Sequence, residues 1–277
     1  CSGDNETGKV DALIAFLKHP EEKALVCTHS TLRFAYERVG PEAFNGTLLG
    51  IDEFHHVSAE EDNKLGALID GVMHHSNAHI VAMTGSYFRG DTVPILTPED
   101  EDKFEKVTYT YYEQLNGYKY LKTLGLGYHF YQDNWTTALS SVLDATKKTI
   151  IHIPNVNSLE AHIEKGLAVD TIITCLGNEI GRDESTGIIT VKTKSGRMIK
   201  MADLVDENKI MRPKTQAYLR NIKSSDDMDI IVALGMAKEG FDWVYCEHVL
   251  TIGFRNSMTE VVQIIGRTTR DCEGKSH

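Results

Sequence analysis

In Leu48-Leu49-Gly50-Ile51-Asp52-Glu53-Phe54-His55-His56, an apolar run leads directly into two adjacent carboxylates, and this combination indicates the class of fold. A short apolar run of this kind predicts a buried strand. In α/β proteins, ligands bind in the crevice beyond the carboxyl ends of parallel strands. Of two carboxylates at that position, one can hold Mg²⁺, usually through water, and the other can orient and deprotonate an attacking water. A solvated acidic loop is the alternative, but the preceding strand and the following His55 favour a site.

Similar apolar runs alternate with helical patterns on both sides of this stretch. The predicted strands are residues 24–27, 48–51, 78–83, 149–153, 229–233 and 248–252, and the predicted helices are residues 11–18, 63–74, 157–167, 213–222 and 257–265. Ser257 and Glu260 fit a capping box at the start of the last helix. Alternating strands and helices predict an α/β fold whose parallel sheets are covered on both faces.

The chain is long enough for two domains, which we place at residues 1–105 and 136–277. Residues 186–203 break the alternation and predict a β-hairpin insertion in the second domain, with a turn that contains Gly196. Residues 106–135 form the predicted connection between the domains. This connection is rich in tyrosine: Tyr109, Tyr111, Tyr112, Tyr118, Tyr120, Tyr128 and Tyr131. These rings could stack on bases, although packing at a domain interface is the favoured interpretation.

Charge and cysteine content limit the classes of function. The net charge is −11, so any contact with nucleic acid should either be a local groove rather than the whole surface or rely on regions outside this sequence. The five cysteines are dispersed, which argues against a disulfide framework or a zinc knuckle and favours a reducing, cytoplasmic setting. No apolar run is long enough to predict a membrane span.

A second informative stretch, Gln263-Ile264-Ile265-Gly266-Arg267-Thr268-Thr269-Arg270, lies near the other end of the chain. Arg267 and Arg270 are three residues apart, so they share one side of a helical turn. Two guanidinium groups placed in this way can bind a γ-phosphate, as arginine fingers do. Two surface arginines at a helix end are the alternative.

Together, the two stretches resemble motifs II and VI of the superfamily 2 DEAD/DEAH-box helicases, closest to the restriction-enzyme-like bacterial type. The resemblance implies two RecA-like domains of the P-loop NTPase superfamily, with ATP hydrolysed between them. Asp52 would associate with Mg²⁺ and Glu53 would be the catalytic base. His55 would couple the nucleotide site to the second domain, and Arg267 and Arg270 would contact the γ-phosphate. Phe54 stands where many members have Ala.

Further segments resemble other motifs of the same family, in the same order. Thr84 and Ser86, in a Thr-Gly-Ser run, would couple the domains. In the segment from Cys27 to Arg33, the nucleic-acid contacts would be made by Thr28, His29 and Ser30. Ser30 or Thr31 could instead cap a helix. The nucleotide-binding residues implied by the resemblance are Gly240, Asp242 and Gln263. Residues 150–155 resemble motif IV.

The phosphate loop that such a motor requires is not found in this sequence. Gly3-Asp4-Asn5-Glu6-Thr7-Gly8-Lys9 has the right spacing, but Val10 stands where a Mg²⁺-binding hydroxyl is needed, and Asp4 and Glu6 would repel phosphate. We therefore expect the first domain to be truncated at its N-terminus, with the phosphate loop upstream. The 277 residues alone should then be inactive, although the complete protein would be an ATP-dependent helicase.

Two other classes of function remain open. The histidines near the carboxylate pair suggest a metal hydrolase: they are His55, His56, His74, His75 and His79. No metal-ligand spacing supports this class, and surface histidines explain His74 and His75. The second class is a non-catalytic nucleic-acid-binding or scaffold module derived from a helicase core. The resemblance favours DNA over RNA as the partner, and a larger assembly or further domains are expected.

Overall fold

The computed structural model describes residues 6–19, 21–57, 63–85, 95–132, 134–153, 165–206, 208–234, 242–253 and 258–275. The chain divides into two compact units. The first comprises Cys1–Val107 with Ser257–Thr259, and the second comprises Thr108–Asn256 with Glu260–His277. Nearly all of the predicted connection, residues 106–135, thus belongs to the second unit.

The first unit packs helices against a two-stranded parallel sheet. Its elements are α1 (Glu6–Lys18), α2 (His29–Val39), a 3₁₀ turn (Pro41–Phe44), β1 (Leu48–Ile51), a second 3₁₀ turn (Phe54–His56), α3 (Lys64–His75), β2 (His79–Ala82) and α4 (Pro98–Glu101). Leu48 pairs with His79 and Ile51 pairs with Ala82. The predicted strands at 48–51 and 78–83 and the predicted helix at 63–74 are confirmed, with shifts of one residue at their ends. The predicted helix at 11–18 is also confirmed, but α1 begins five residues earlier, at Glu6.

Two expectations for the first unit are wrong. Residues 24–27 join no strand ladder among the described residues, and Val26 is 85% exposed. Moreover, the β1–β2 pair is not covered on both faces, because Leu48 is 70% exposed and Val81 is 46% exposed. Alternate residues of a strand point to opposite faces. Leu49 and Ile80 therefore pack into the core of this unit while Leu48 and Val81 face outward.

The second unit is built on a six-stranded mixed sheet. Its elements are α5 (Tyr111–Gly117), α6 (Trp135–Val142), β3 (Thr149–Ile153), α7 (Lys165–Leu176), β4 (Gly177–Arg182), β5 (Ile189–Thr193), β6 (Met198–Asp203), α8 (Met211–Arg220), a 3₁₀ turn (Ser225–Asp227), β7 (Ile230–Leu234), β8 (His248–Thr251) and α9 (Met258–Thr268). The strand order is β4-β5-β6-β7-β3-β8. The pairs β6–β7, β7–β3 and β3–β8 are parallel, and β4–β5 and β5–β6 are antiparallel.

The α/β class and the β-hairpin are confirmed in this unit. Ile189 pairs with Met201 across the hairpin, and Gly196 in its turn has φ 88°, which a glycine adopts without strain. The hairpin is continuous with the main sheet, because β6 lies beside β7. Strand β4 was not predicted. Of the helix predicted at 157–167, residues 165–167 form the start of α7, which runs to Leu176, and residues 157–164 lie outside the described residues.

The centre of this sheet is buried on both faces, as the sequence predicts. All five residues of β3 are buried, with Ile151 and Ile153 in one apolar cluster and Ile150 in another. Near the start of β3, the buried carboxylate of Asp229 lies 2.9 Å from Lys148 Nζ and 2.9 Å from Arg197 Nη2. It also accepts the backbone N–H of Lys200 at 2.8 Å. These contacts attach the hairpin to the centre of the sheet.

Candidate functional site

The carboxylate pair lies at the carboxyl end of β1, as the sequence predicts. Asp52 is exposed, and its Oδ1 accepts the backbone N–H of Glu53 at 2.9 Å. Glu53 has φ 51° and ψ 47°, and it is the one non-glycine residue with positive φ in the described part of the chain. A non-glycine residue in this left-handed conformation costs about 1–2 kcal/mol, and such residues cluster at functional sites. The backbone strain at Glu53 is therefore independent support for a site at this position.

His55 joins the carboxylate pair to the end of the neighbouring strand. Its side chain is 8% exposed, and its Nδ1 lies 3.3 Å from Glu53 Oε2 and 3.1 Å from Thr84 Oγ1. Backbone hydrogen bonds continue the β1–β2 pairing into this region, because Met83 N–H donates to Ile51 O and Phe54 N–H donates to Met83 O, both at 2.9 Å. The structure thus brings together His55 and Thr84, which are 29 residues apart. Ser86 lies outside the described residues.

The segment from Thr28 to Ser30 approaches the histidines that follow the carboxylate pair, through the contact of His29 with His56. Thr28 is the N-cap of α2, and its hydroxyl accepts the Thr31 N–H at 3.2 Å. The expectation that Ser30 or Thr31 forms the cap is wrong, because the helix begins at His29. The rings of His29 and His56 meet edge to face with centroids 6.5 Å apart. The Thr28 and Thr31 hydroxyls lie 3.1 Å apart. When Thr31 is the donor of this pair, the Thr28 hydroxyl can cap α2 and still donate to a phosphate oxygen.

In the second unit, the structure brings together the predicted nucleotide-binding residue Asp242 and the predicted catalytic residue Arg270. Arg270 Nε lies 3.6 Å from Asp242 Oδ1, and both side chains are exposed. Gly240 lies outside the described residues. Gln263 and Arg267 are four residues apart on α9, so they share one face of that helix. Gln263 and Arg267 thus lie on α9, and Arg270 lies in the segment that follows it. Asp242 lies in the segment before β8.

Arg267 and Arg270 form a local concentration of positive charge. Burial lowers the pKa of the Arg267 guanidinium, the neighbouring Arg270 lowers it further, and Asp242 opposes both effects. The guanidinium remains charged at any physiological pH. Two guanidinium groups beside one carboxylate leave an excess of positive charge, which an anionic phosphate group would neutralise.

Sequence reasoning missed the residues that hold this arginine segment in place. Asp271 accepts hydrogen bonds from backbone N–H groups of the connection, and the Tyr118 hydroxyl donates to Thr269 O at 2.6 Å. On the other side, Lys275 Nζ donates to Arg270 O at 3.1 Å. Asp271 and its partners are about 150 residues apart, so no local sequence pattern could have revealed this contact.

Among the histidines that suggested a metal hydrolase, His74 belongs to a cluster with Asp70 and Asp100. His74 Nε2 lies 3.3 Å from Asp100 Oδ1, and His74 Nδ1 lies 3.2 Å from Asp70 Oδ1. The Lys103 ammonium lies among these groups, 2.7 Å from Asp100 Oδ1 and 3.0 Å from His74 Nε2. The positive charge of Lys103 therefore accounts for this cluster as a salt-bridge network. His75 and His79 are exposed.

Over the described residues, no helix is both long and apolar enough to span a membrane. The chain is 57% identical, over 276 residues, to a protein of Bacillus subtilis (strain 168) named "Putative ATP-dependent helicase YeeB". The similarity covers 99% of the chain and 45% of that relative, so the chain spans less than half of the relative's length. No protein-family model and no solved structure matches the chain.

Proposed function

We propose that this chain is part of an ATP-dependent helicase or translocase core that acts on nucleic acid, with DNA favoured over RNA. Identity of 57% over almost the whole chain to a protein named as an ATP-dependent helicase supports this function. The order of the motifs supports the finer proposal, a superfamily 2 protein with two RecA-like domains. The cytoplasmic location and the additional domains or partners stay proposals of the same kind.

The observation that carries the proposal is the arrangement of Glu53, His55 and Thr84 at the ends of two parallel strands. Glu53 has a strained backbone, His55 is buried beside its carboxylate, and Thr84 reaches the same imidazole nitrogen from the next strand. A solvated acidic loop would require neither the strain nor the buried histidine. We propose that Glu53 is the general base for hydrolysis. We propose that His55 and Thr84 couple the nucleotide site at Glu53 to the second domain.

Asp52 fits the role of a residue that faces hydrated Mg²⁺. Its carboxylate is exposed, and while Oδ1 accepts the Glu53 N–H, the second oxygen can accept hydrogen bonds from water bound to the ion. Mg²⁺, when bound with ATP, would supply positive charge to the phosphates. The protein's own contribution is to fix the direction of the Asp52 carboxylate through the Glu53 N–H.

The remaining predicted residues divide between nucleotide and nucleic acid. We propose that Arg267 and Arg270 contact the phosphates of the same nucleotide on which Glu53 acts. Gly240, Asp242 and Gln263 would contact other parts of that nucleotide. Thr28, His29 and Ser30 would contact the backbone of the nucleic acid, and Ser86 would act with Thr84 in coupling.

The test uses the complete protein that contains this chain. ATP hydrolysis is measured without nucleic acid and with single-stranded DNA, duplex DNA or RNA. We expect DNA to stimulate hydrolysis, and we expect Glu53→Gln to lower turnover by a factor on the order of 10² or more while nucleotide binding persists. Glu42→Gln is the matched control, because it makes the same chemical change at an exposed carboxylate of the same unit.

Each result has a definite consequence. Hydrolysis that no nucleic acid stimulates would refute the motor and favour the non-catalytic module derived from a helicase core. Normal turnover in Glu53→Gln would refute the assignment of the base. Stimulation by RNA alone would replace DNA as the proposed partner.

A further inference from the structure

The connection and the arginine segment are joined by a compact set of hydrogen bonds, which we call the connection clasp. It consists of Tyr118–Leu121 on one side and Thr269–Asp271 on the other. The Asp271 carboxylate accepts three consecutive backbone N–H groups, from Lys119 at 2.8 Å and from Tyr120 and Leu121 at 2.9 Å each. The Tyr118 hydroxyl donates to Thr269 O at 2.6 Å, and Gln114 of α5 donates its side-chain N–H to the same hydroxyl.

Asp271 holds these amides as a charged carboxylate. Desolvation raises its pKa, but the hydrogen bonds from Leu121, Lys119 and Tyr120 outweigh this effect and lower the pKa below its usual value. Hydrogen bonds to an ionised acceptor are shorter and stronger than those between neutral groups. The clasp is therefore a stable attachment, and the side chain of Leu121 beneath it is 1% exposed.

The position of the clasp connects it to the proposed chemistry. Thr269 and Asp271 flank Arg270, and Arg267 lies in the last turn of α9 immediately before them. The buried Lys275 ammonium holds Arg270 O from the other side. The backbone that carries the arginines is thus fixed between Lys275 and the connection, and a displacement of Tyr118–Leu121 would be transmitted to that backbone.

We propose that Asp271 is a positioning residue that links the connection to the two arginines, so that nucleic acid bound to the protein changes the rate of hydrolysis through this contact. The inference rests on the proposed function. The Asp271 carboxylate accepts the amides of the connection, so this role requires no contact between Asp271 and the nucleotide. Asp271 sets the position of Arg270, and a guanidinium displaced by about 1 Å can lower the rate of a reaction on the order of a hundredfold.

The experiment compares Asp271→Ala, Asp271→Asn and Tyr118→Phe with wild type in the complete protein. Turnover and the KM for ATP are measured with and without DNA, turnover is referred to the folded fraction, and melting temperature is recorded. In Asp271→Ala we expect DNA-stimulated turnover to fall on the order of ten- to a hundredfold, with the KM for ATP changed by less than about twofold. Asp271→Asn should be intermediate, and Tyr118→Phe should show a smaller loss in the same direction. Glu273→Gln is the matched control at an exposed carboxylate two residues away.

A purely structural role predicts a different result. In that case the melting temperature falls, while turnover per folded molecule and the ratio of stimulated to unstimulated turnover stay at the wild-type values, and the proposal for Asp271 is overturned. If the wild-type protein itself hydrolyses ATP at the same rate with and without nucleic acid, the proposed function fails, and this inference fails with it. The two failures are therefore distinguishable.

Discussion

At the scale of single residues, Glu53 combines a proposed chemical role with an unfavourable backbone conformation. Its φ of 51° places the Cβ atom close to the following carbonyl oxygen, which costs about 1–2 kcal/mol in an L-residue. A glycine would adopt the same conformation without that penalty. The site therefore retains a side chain that lowers stability, and this is the expected pattern when a residue is kept for its chemistry.

The first prediction compares Glu53→Gly with Glu53→Ala. Both changes remove the carboxylate, so both should abolish turnover. They differ by one Cβ atom, so Glu53→Gly should be more stable than Glu53→Ala by about 1 kcal/mol. Denaturant unfolding of the two variants measures this difference. Equal stability, or a more stable alanine variant, would show that the left-handed conformation is not retained in solution.

At the scale of elements, residues 121–131 of the connection, at and beyond the end of the clasp, form no helix or strand, and nearly all of them are exposed. Leu121 is buried and Trp135 at the start of α6 is 4% exposed, so both ends of this stretch are held. Between them, Tyr128 is 86% exposed and Phe130 is 91% exposed. The side chains of Tyr109 and Tyr112 are also exposed, which the base-stacking alternative requires.

The second prediction tests whether these rings stack on bases. Tyr128→Ser with Phe130→Ser should weaken the binding of single-stranded DNA to the complete protein, because each stacked base contributes about 1–3 kcal/mol. Fluorescence anisotropy with a labelled oligonucleotide measures the affinity. Leu126→Ser is the control, since Leu126 is 67% exposed and apolar but has no ring. If Leu126→Ser lowers the affinity for the oligonucleotide equally, the loss does not depend on aromatic rings, and base stacking is refuted.

At the scale of the whole molecule, Asp229 connects elements that are distant in the chain. Its carboxylate binds Lys148, Arg197 and the backbone of Lys200, so it joins the segments before β3 and β7 to the β5–β6 hairpin. Lys148 is largely buried, with 13% of its side chain exposed. Removal of the carboxylate would leave that ammonium without its buried counter-charge.

The third prediction is that Asp229→Ala lowers the free energy of unfolding of the second unit by about 3–5 kcal/mol, the usual effect of breaking a buried ion pair from one side. Calorimetry or denaturant unfolding measures the loss. Asp226→Ala is the control, because Asp226 lies in an exposed 3₁₀ turn three residues earlier. A similar loss in both variants would show that the effect comes from the loop rather than from the ion pair.

The sequence predicts those strands and helices that are specified by residues close together in the chain. The stretches 149–153 and 229–233 are rich in isoleucine and valine, and they correspond to β3 (Thr149–Ile153) and β7 (Ile230–Leu234) at the buried centre of a sheet. Residues 24–27 have similar composition but no strand ladder among the described residues, because a strand also requires a neighbour to pair with. Strand β4 has no apolar pattern and is specified by its pairing with β5.

The same distinction applies to the candidate site. Adjacent carboxylates and paired arginines are visible in the sequence, because each pair lies within a few residues. The left-handed conformation of Glu53 and the partners of Asp271 are not visible, because they depend on contacts that form only when the chain folds. Local motifs therefore identify the reactive side chains, whereas the contacts that position those side chains depend on the folded structure.

The connection clasp also has a consequence for the order in which the molecule is made. During translation, Leu121 is synthesised long before Asp271, because the two residues are 150 positions apart. Until Asp271 has been synthesised, the backbone amides of Lys119, Tyr120 and Leu121 therefore bind water instead of the carboxylate. Contacts between such distant positions form slowly, because a long loop must close first. We expect the connection to be the last part of the second unit to become protected from proteases during synthesis.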